Sequence, residues 1–234
     1  MTISDFVNEL KTIGIEIDDE KLDKLNKYYE LLIEWNEKIN LTGITKKEDV
    51  YLKHFYDSLT LFQIINLNKI DTLCDIGTGA GLPGIVLKIV FPNINITLVD
   101  SLNKRINFLN EVISKLDLKG INTICSRIEE YGIDNRNIYD IVVARAVASL
   151  PILLEYSIPL LKVNGSFIAM KGNNDELNNL NTIYDKLNIK LGNIINFKLP
   201  FEFSNRSLIE FIKIGETNRK YPRKFVDIKN KPIL

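Results

Sequence analysis

Residues 75–84 read Asp75-Ile76-Gly77-Thr78-Gly79-Ala80-Gly81-Leu82-Pro83-Gly84, with the apolar run Thr72-Leu73-Cys74 before them. An apolar helical pattern follows. This order predicts a strand, a glycine-rich turn and a helix N-terminus. Glycines let the backbone approach a ligand with no Cβ in the way, and a helix start offers free N–H groups. The turn is therefore the candidate cofactor site.

Two cofactor classes compete for it. Gly79-x-Gly81-x-x-Gly84, with Asp100 following, matches the dinucleotide fingerprint and would make the chain a nucleotide-dependent oxidoreductase. Asp75 argues the other way, because a pyrophosphate beside it would meet like charge. S-adenosylmethionine has no phosphate and carries an ammonium and a sulfonium. Asp75 would attract both, Gly77 and Gly79 would admit the donor, and Asp100 would accept from its ribose. The competing role for Asp75 is a turn or helix-capping carboxylate.

The elements that must position these residues follow from periodicity. Positions 1–70 read as helical, with Ile3, Phe6, Val7 and Leu10, then Leu22, Leu25, Tyr29 and Leu32, at three-to-four spacing. From Asp71 the pattern alternates. Strands are expected at 72–76, 94–99, 121–125, 139–144, 165–170, 190–198 and 207–214. Helices are expected at 82–91, 102–116, 127–132, 150–161 and 174–187. This order predicts an α/β fold with a mainly parallel seven-stranded sheet and an antiparallel last strand. That is the Rossmann-like arrangement of class I S-adenosylmethionine-dependent methyltransferases, here with an N-terminal helical extension. The chain divides into the extension (1–70), a core (71–216) and a basic tail (217–234).

Ligands on such sheets bind beyond the carboxyl ends of the strands. Those ends collect Asp75, Asp100, the run Ser126-Arg127-Ile128-Glu129 where an adenine would sit, Arg145 and Lys171. Arg145 and Lys171 are the candidate acceptor-side catalytic cations. The chain lacks an Asn/Asp-Pro-Pro-aromatic motif for exocyclic amines and a strand-end cysteine for pyrimidine C5 chemistry. A ring nitrogen such as guanine N7 needs neither. Its lone pair has only to be aligned with the S–CH₃ bond.

Composition bounds the rest. The 234 residues are 45% hydrophobic and 26% charged with zero formal net charge, which argues against a general polyanion binder. No run approaches the ~20 apolar residues of a membrane span, and no secretory signal opens the chain, so a cytoplasmic protein is expected. Cys74 and Cys125 read as buried thiols. A single histidine, His54, makes a zinc site improbable, and no metal is expected. The tail carries Arg219, Lys220, Arg223, Lys224, Lys229 and Lys231 against Asp227. It is expected to hold RNA phosphates apart from the donor site. Trp35 stands at helical spacing and is either core or a base-stacking ring.

Several segments resemble a known family. They are Trp35-Asn36-x-x-x-Asn40-Leu41-Thr42, His54-x-x-Asp57-Ser58-Leu59, the glycine turn, Asp100-Ser101-x-x-Lys104-Arg105-x-x-Phe108-Leu109, Arg127-x-Glu129, Ala144-Arg145-Ala146 and Lys171-Gly172. The chain resembles the bacterial small-subunit ribosomal RNA guanine-N7 methyltransferases, also called glucose-inhibited division protein B. The resemblance implies methylation of one guanine in the decoding-region loop of 16S ribosomal RNA, with S-adenosylhomocysteine as the second product. It implies Gly77, Leu82, Ile128, Glu129 and Arg145 as donor-binding residues. The partner would be 16S ribosomal RNA or the small ribosomal subunit, met by a monomer. By their spacing, His54 and Asp57 sit one helical turn apart and form either a substrate-side pair or a capping or intra-helix hydrogen bond. A non-catalytic RNA chaperone on the same fold stands as a further alternative.

Overall fold

The computed structural model describes residues 1–173 and 175–233. Helix α1 (Ile3–Thr12) opens with a reciprocal cap: the Asp5 N–H donates to the Thr2 hydroxyl, and the Thr2 N–H donates to the Asp5 carboxylate. Helix α2 (Asp19–Ile39) is capped by Asp18 and ends at Asn40, whose left-handed backbone stops it. Its buried stripe is Leu25, Tyr28 and Leu32.

The third helical stretch departs from regular spacing. Helix α3 (Lys47–Val50) runs into a π-helical turn (Tyr51–Tyr56), which runs into α4 (Asp57–Leu59). The wider turn widens the buried face to include His54, Phe55, Asp57 and Ser58. Three polar side chains, His54, Asp57 and Ser58, thus enter a mostly apolar interface.

From Asp71 strands and helices alternate: β1 (Thr72–Ile76), α5 (Gly84–Val90), β2 (Asn95–Asp100), α6 (Asn103–Lys115), β3 (Ile121–Cys125), α7 (Ile128–Asp134), β4 (Tyr139–Arg145), α8 (Leu150–Ser157), β5 (Leu161–Lys171), α9 (Asn181–Leu187), β6 (Ile189–Lys198) and β7 (Asn205–Lys213). Helix α10 (Phe225–Asn230) follows. The strands form one sheet in the order β3-β2-β1-β4-β5-β7-β6. β1, β2, β3, β4 and β5 are parallel, and β7 pairs antiparallel with both β5 and β6. The expected seven strands and the antiparallel end of the sheet are therefore present. The first residue of the helix expected over 174–187 lies outside the described residues.

Two apolar cores sandwich the sheet. One packs α1, α2, the π turn, α5 and α6 against Leu73, Leu98, Val143 and Ile168. The other packs α8, α9 and the C-terminal segment against Cys74, Val99, Val142 and Phe167. Alternate residues of β1 and β4 serve opposite cores, as a strand's period of two requires. Trp35 packs on Phe108 at 5.8 Å, which is the core reading of that ring. Cys74 is buried, whereas Cys125 is exposed at the end of β3, contrary to the expectation of two buried thiols. That strand lies at the edge of the sheet, where a side chain on the open face meets solvent. No helix among the described residues is long and apolar enough to cross a membrane.

Candidate active site

Beyond β1 the chain turns tightly. Gly77 and Thr78 both donate to the Val99 carbonyl, at 2.8 and 3.1 Å. Gly77 has a φ of +65°, and a Cβ there would meet Val147 at 2.7 Å, so only glycine lets the two loops close on each other. Gly79 donates its N–H to Asp100 at 2.9 Å, which ties the turn to the end of β2.

Asp75 is fully buried beneath this turn and does not line the cleft described below. Its Oδ2 accepts from the Thr78 hydroxyl (2.7 Å) and from the Gly84 N–H (2.9 Å), while Oδ1 has no partner. The carboxylate thus caps α5, the role that competed with donor binding in the sequence. Burial pushes its pKa up to about 6, against the lowering effect of Thr78, Gly84 and Arg145. For an acid raised in this way, the ionised form burdens the folded state. The cost is absent below the ordinary value of 3.8, grows as pH rises, and is complete above about 6. It amounts to at most about 3 kcal/mol. Asp75→Asn is therefore expected to gain melting temperature over wild type as pH rises from 4 to 7. A gap between the two melting curves that stays constant over that range would show that Asp75 titrates normally.

A cleft of about 450 Å³ opens beyond the strand ends on the side of Gly77. Asp100, Arg127, Glu129, Val147, Tyr156 and Phe225 are among its lining. Asp100 is only 3% exposed. Besides Gly79, it accepts from the Leu102 N–H and from Arg105, at 3.0 and 3.1 Å. Arg127 donates to Glu129 at 2.5 Å and stacks on the Phe225 ring at 3.9 Å. Ile128 lies between these two charges and also lines the cleft.

The opposite side of the β4 terminus holds a different cluster. Arg145 donates to the Lys53 carbonyl and to Asp57 Oδ2, both at 3.1 Å, and lies 3.5 Å from His54 Nδ1. Asp57 Oδ1 accepts from Arg206 of β7 at 3.0 Å. His54 Nε2 is 2.8 Å from the Thr42 hydroxyl. Burial, followed by the Arg145 charge, pulls the His54 pKa down to about 4, so the imidazole is neutral at physiological pH. His54 and Asp57 do not bond to each other; both face Arg145.

The expected residues therefore separate into groups. Gly77, Asp100, Ile128 and Glu129 converge on one cleft, with Gly79 bonded to Asp100. Arg145, His54 and Asp57 converge on the other side of β4. Leu82 is packed in the core instead of lining the cleft. Lys171, expected to face an acceptor, donates to the Ala148 carbonyl and to Glu176, each at 2.8 Å, and so holds the loop after β4.

The tail differs most from expectation. Arg223 is not a free phosphate ligand: its guanidinium and backbone N–H bind the fully buried Glu155 at 2.7–2.9 Å. Arg136 donates to the Tyr221 and Thr217 carbonyls. Tyr221, Ile228 and Ile233 enter the second core, and Phe225 and Lys229 line the cleft beside Gly77. Arg219, Lys220 and Lys224 remain exposed. The sequence reading missed Arg206, Tyr156 and Phe225 as site residues. Arg105 and Arg127 were visible in motifs but had no assigned partner.

A family model described as "GidB: rRNA small subunit methyltransferase G" matches residues 21–209. The chain belongs to the GidB family. A ribosomal RNA small subunit methyltransferase G of Acetivibrio thermocellus is 51% identical over 214 residues, spanning 90% of this chain and 88% of the relative. Its counterpart in Bacillus subtilis is 46% identical over 228 residues, spanning 96% and 95%. Among solved structures, a SAM dependent methyltransferase from Aquifex aeolicus superposes with a TM-score of 0.54 at 16% identity, covering 72% of this chain and 94% of that one. That likeness concerns the fold. As a GidB-family protein the chain is an S-adenosylmethionine-dependent methyltransferase of 16S ribosomal RNA, and neither the oxidoreductase nor the chaperone alternative is favoured.

The cleft suits that donor. Its volume lies in the range for small-molecule sites. Two buried carboxylates, Asp100 and Glu129, offer acceptors to hydroxyl and amino groups, and Ile128, Val147 and Ile152 offer apolar walls to a purine.

Proposed function

We propose that this GidB-family protein methylates N7 of one guanosine in the decoding-region loop of 16S ribosomal RNA, acting as a cytoplasmic monomer on the RNA or on the small subunit. One observation carries the choice of atom. Among the described residues, the acceptor side of the β4 terminus presents two arginines, a histidine held neutral and the Asp57 carboxylate, whose two oxygens are each taken by an arginine, with no cysteine. Cys74 is buried inside the sheet, and Cys125 sits at the far edge. An acceptor that is already a nucleophile suits such a site, and guanine N7 is one.

In this reading S-adenosylmethionine, when bound, supplies an activated methyl group on sulfonium. Asp100 would hold its ribose, and Ile128 and Glu129 its adenine. Gly77 and Gly79 leave room for the donor at the turn, and Asp75 keeps that turn and α5 in place. Lys171 fixes the loop after β4 through Ala148. Arg145, oriented by Asp57, would meet the guanine or its phosphate. Arg219, Lys220 and Lys224 remain candidates for phosphate contacts, and Arg223 serves the fold. Alignment of N7 with the S–CH₃ bond, with water excluded, provides the catalysis.

The deciding experiment maps the methylated nucleotide and atom in 16S ribosomal RNA after incubation of unmodified RNA, or of small subunits, with the protein and labelled donor. Methylation at any other atom would overturn the reading. The mechanism also fixes a pH profile. With His54 near pKa 4 and N7 unprotonated, the single-turnover rate is expected to be nearly flat between about pH 6.5 and 8.5. A steep rise over that interval, abolished by His54→Ala, would show that a protein base is required.

A further inference from the structure

The hairpin loop between β6 and β7 projects from the same edge of the sheet as the site. β7 runs antiparallel to β5, with Ser207 beside Lys171, so the start of β7 lies next to the carboxyl end of β5. Within this loop Phe201 is 55% exposed and Phe203 is 70% exposed. Both have left-handed backbones, with φ of +66° and +59°. Bulky residues rarely adopt that conformation, and two exposed rings in one short loop do nothing for the apolar core.

The loop is nevertheless built firmly. Leu199 is buried in the first core. The Leu199 N–H donates to the Ser204 carbonyl, and the Phe203 N–H donates to the Leu199 carbonyl, each at 2.9 Å. Glu202 is paired with Lys53 at 3.0 Å. These contacts hold the rings outward. Lys198, beside the loop, is exposed and has no ion pair among the described residues, and Arg206, paired with Asp57, stands at the base of the loop. Arg206 is joined through Asp57 to Arg145, so the loop connects to the acceptor-side cluster by two ion pairs.

We propose that Phe201 and Phe203 form a stacking platform for unpaired bases of the RNA substrate, with Lys198 and Arg206 beside it for the adjoining phosphates. Flat apolar faces next to positive charge match single-stranded nucleotides, whose bases stack on aromatic rings irrespective of sequence. A paired helix keeps its bases inside and cannot use the rings. The proposal deepens the assignment of ribosomal RNA as substrate and rests on it.

The test compares wild type, the double variant Phe201→Ala/Phe203→Ala, and Phe203→Trp. Each is titrated with a labelled RNA stem-loop bearing an unpaired loop and with a fully paired duplex, at one salt concentration. Loss of a base stack weakens binding by about ten-fold per ring. The double variant is expected to lose about 100-fold in stem-loop affinity, with duplex affinity and donor calorimetry little changed. Phe203→Trp is expected to bind like wild type, and its indole emission should be quenched by the stem-loop. Wild-type methylation of 16S ribosomal RNA alongside near-wild-type stem-loop affinity in the double variant would overturn the stacking role alone. So would a change in sedimentation of the double variant without a change in RNA affinity, which would make the surface a contact between copies. Failure of the wild type to bind or methylate RNA would overturn the substrate assignment and the stacking role together.

Discussion

Arg223→Ala is expected to destabilise the protein by about 3 kcal/mol, the cost of leaving a buried charge without its partner. Glu155 is fully buried on α8 and takes three hydrogen bonds from Arg223. In a chain of this size the loss corresponds to a fall in melting temperature of about 6–12 °C. Glu155→Gln in the same background should restore much of it, because the amide needs no counter-ion. A melting temperature within about 2 °C of wild type would show that the pair is peripheral. The same packing alters what the tail does at the site. Phe225→Ala removes a ring from the cleft wall and from the face of Arg127, and donor affinity is expected to fall about ten-fold. Unchanged donor calorimetry would return the tail to the separate role expected from its charge.

Asp57→Asn should abolish most methyl transfer while leaving the donor bound. The carboxylate accepts from Arg145 through one oxygen and from Arg206 through the other, and its side chain is 7% exposed. An amide cannot neutralise two guanidinium groups, so both lose their fixed positions. A buried, hydrogen-bonded charge pair broken on one side costs several kcal/mol. The single-turnover rate is therefore expected to fall on the order of 100-fold. Donor affinity should stay near wild type, because the cleft proposed for the donor lies on the other side of β4. A parallel loss of donor binding would mean that the cluster supports the whole strand terminus. An unchanged rate would remove Arg145 from the acceptor site. Arg206→Ala distinguishes the two arginines, since it spares the Arg145–Asp57 contact.

The sequence by itself determined the α/β alternation, the strand segments, the glycine turn and the list of residues at the strand ends. These rest on local signals. Short apolar runs bounded by turn residues make Thr72–Ile76 and Tyr139–Arg145 strands, and the glycines at 77, 79, 81 and 84 mark the turn by their spacing. Only the tertiary structure decided which way the strand-end side chains face. Adjacent residues of β4 serve opposite sides of the sheet, so Arg145, on the side of Val143, turns to the N-terminal helices, while beyond the strand the left-handed Ala146 redirects the chain and Ala146 and Val147 line the cleft. Its partners are found by packing: Asp57 lies 88 residues from Arg145 and 149 from Arg206 in the chain, and no local pattern encodes such pairs. The π turn, which brings His54 and Asp57 into the apolar interface, is likewise set by the surface it packs against. The basic tail shows the limit most directly. Its charge density reads the same whether its arginines face phosphate or a buried acid, and Glu155, hidden in the apolar run of α8, decides between them for Arg223.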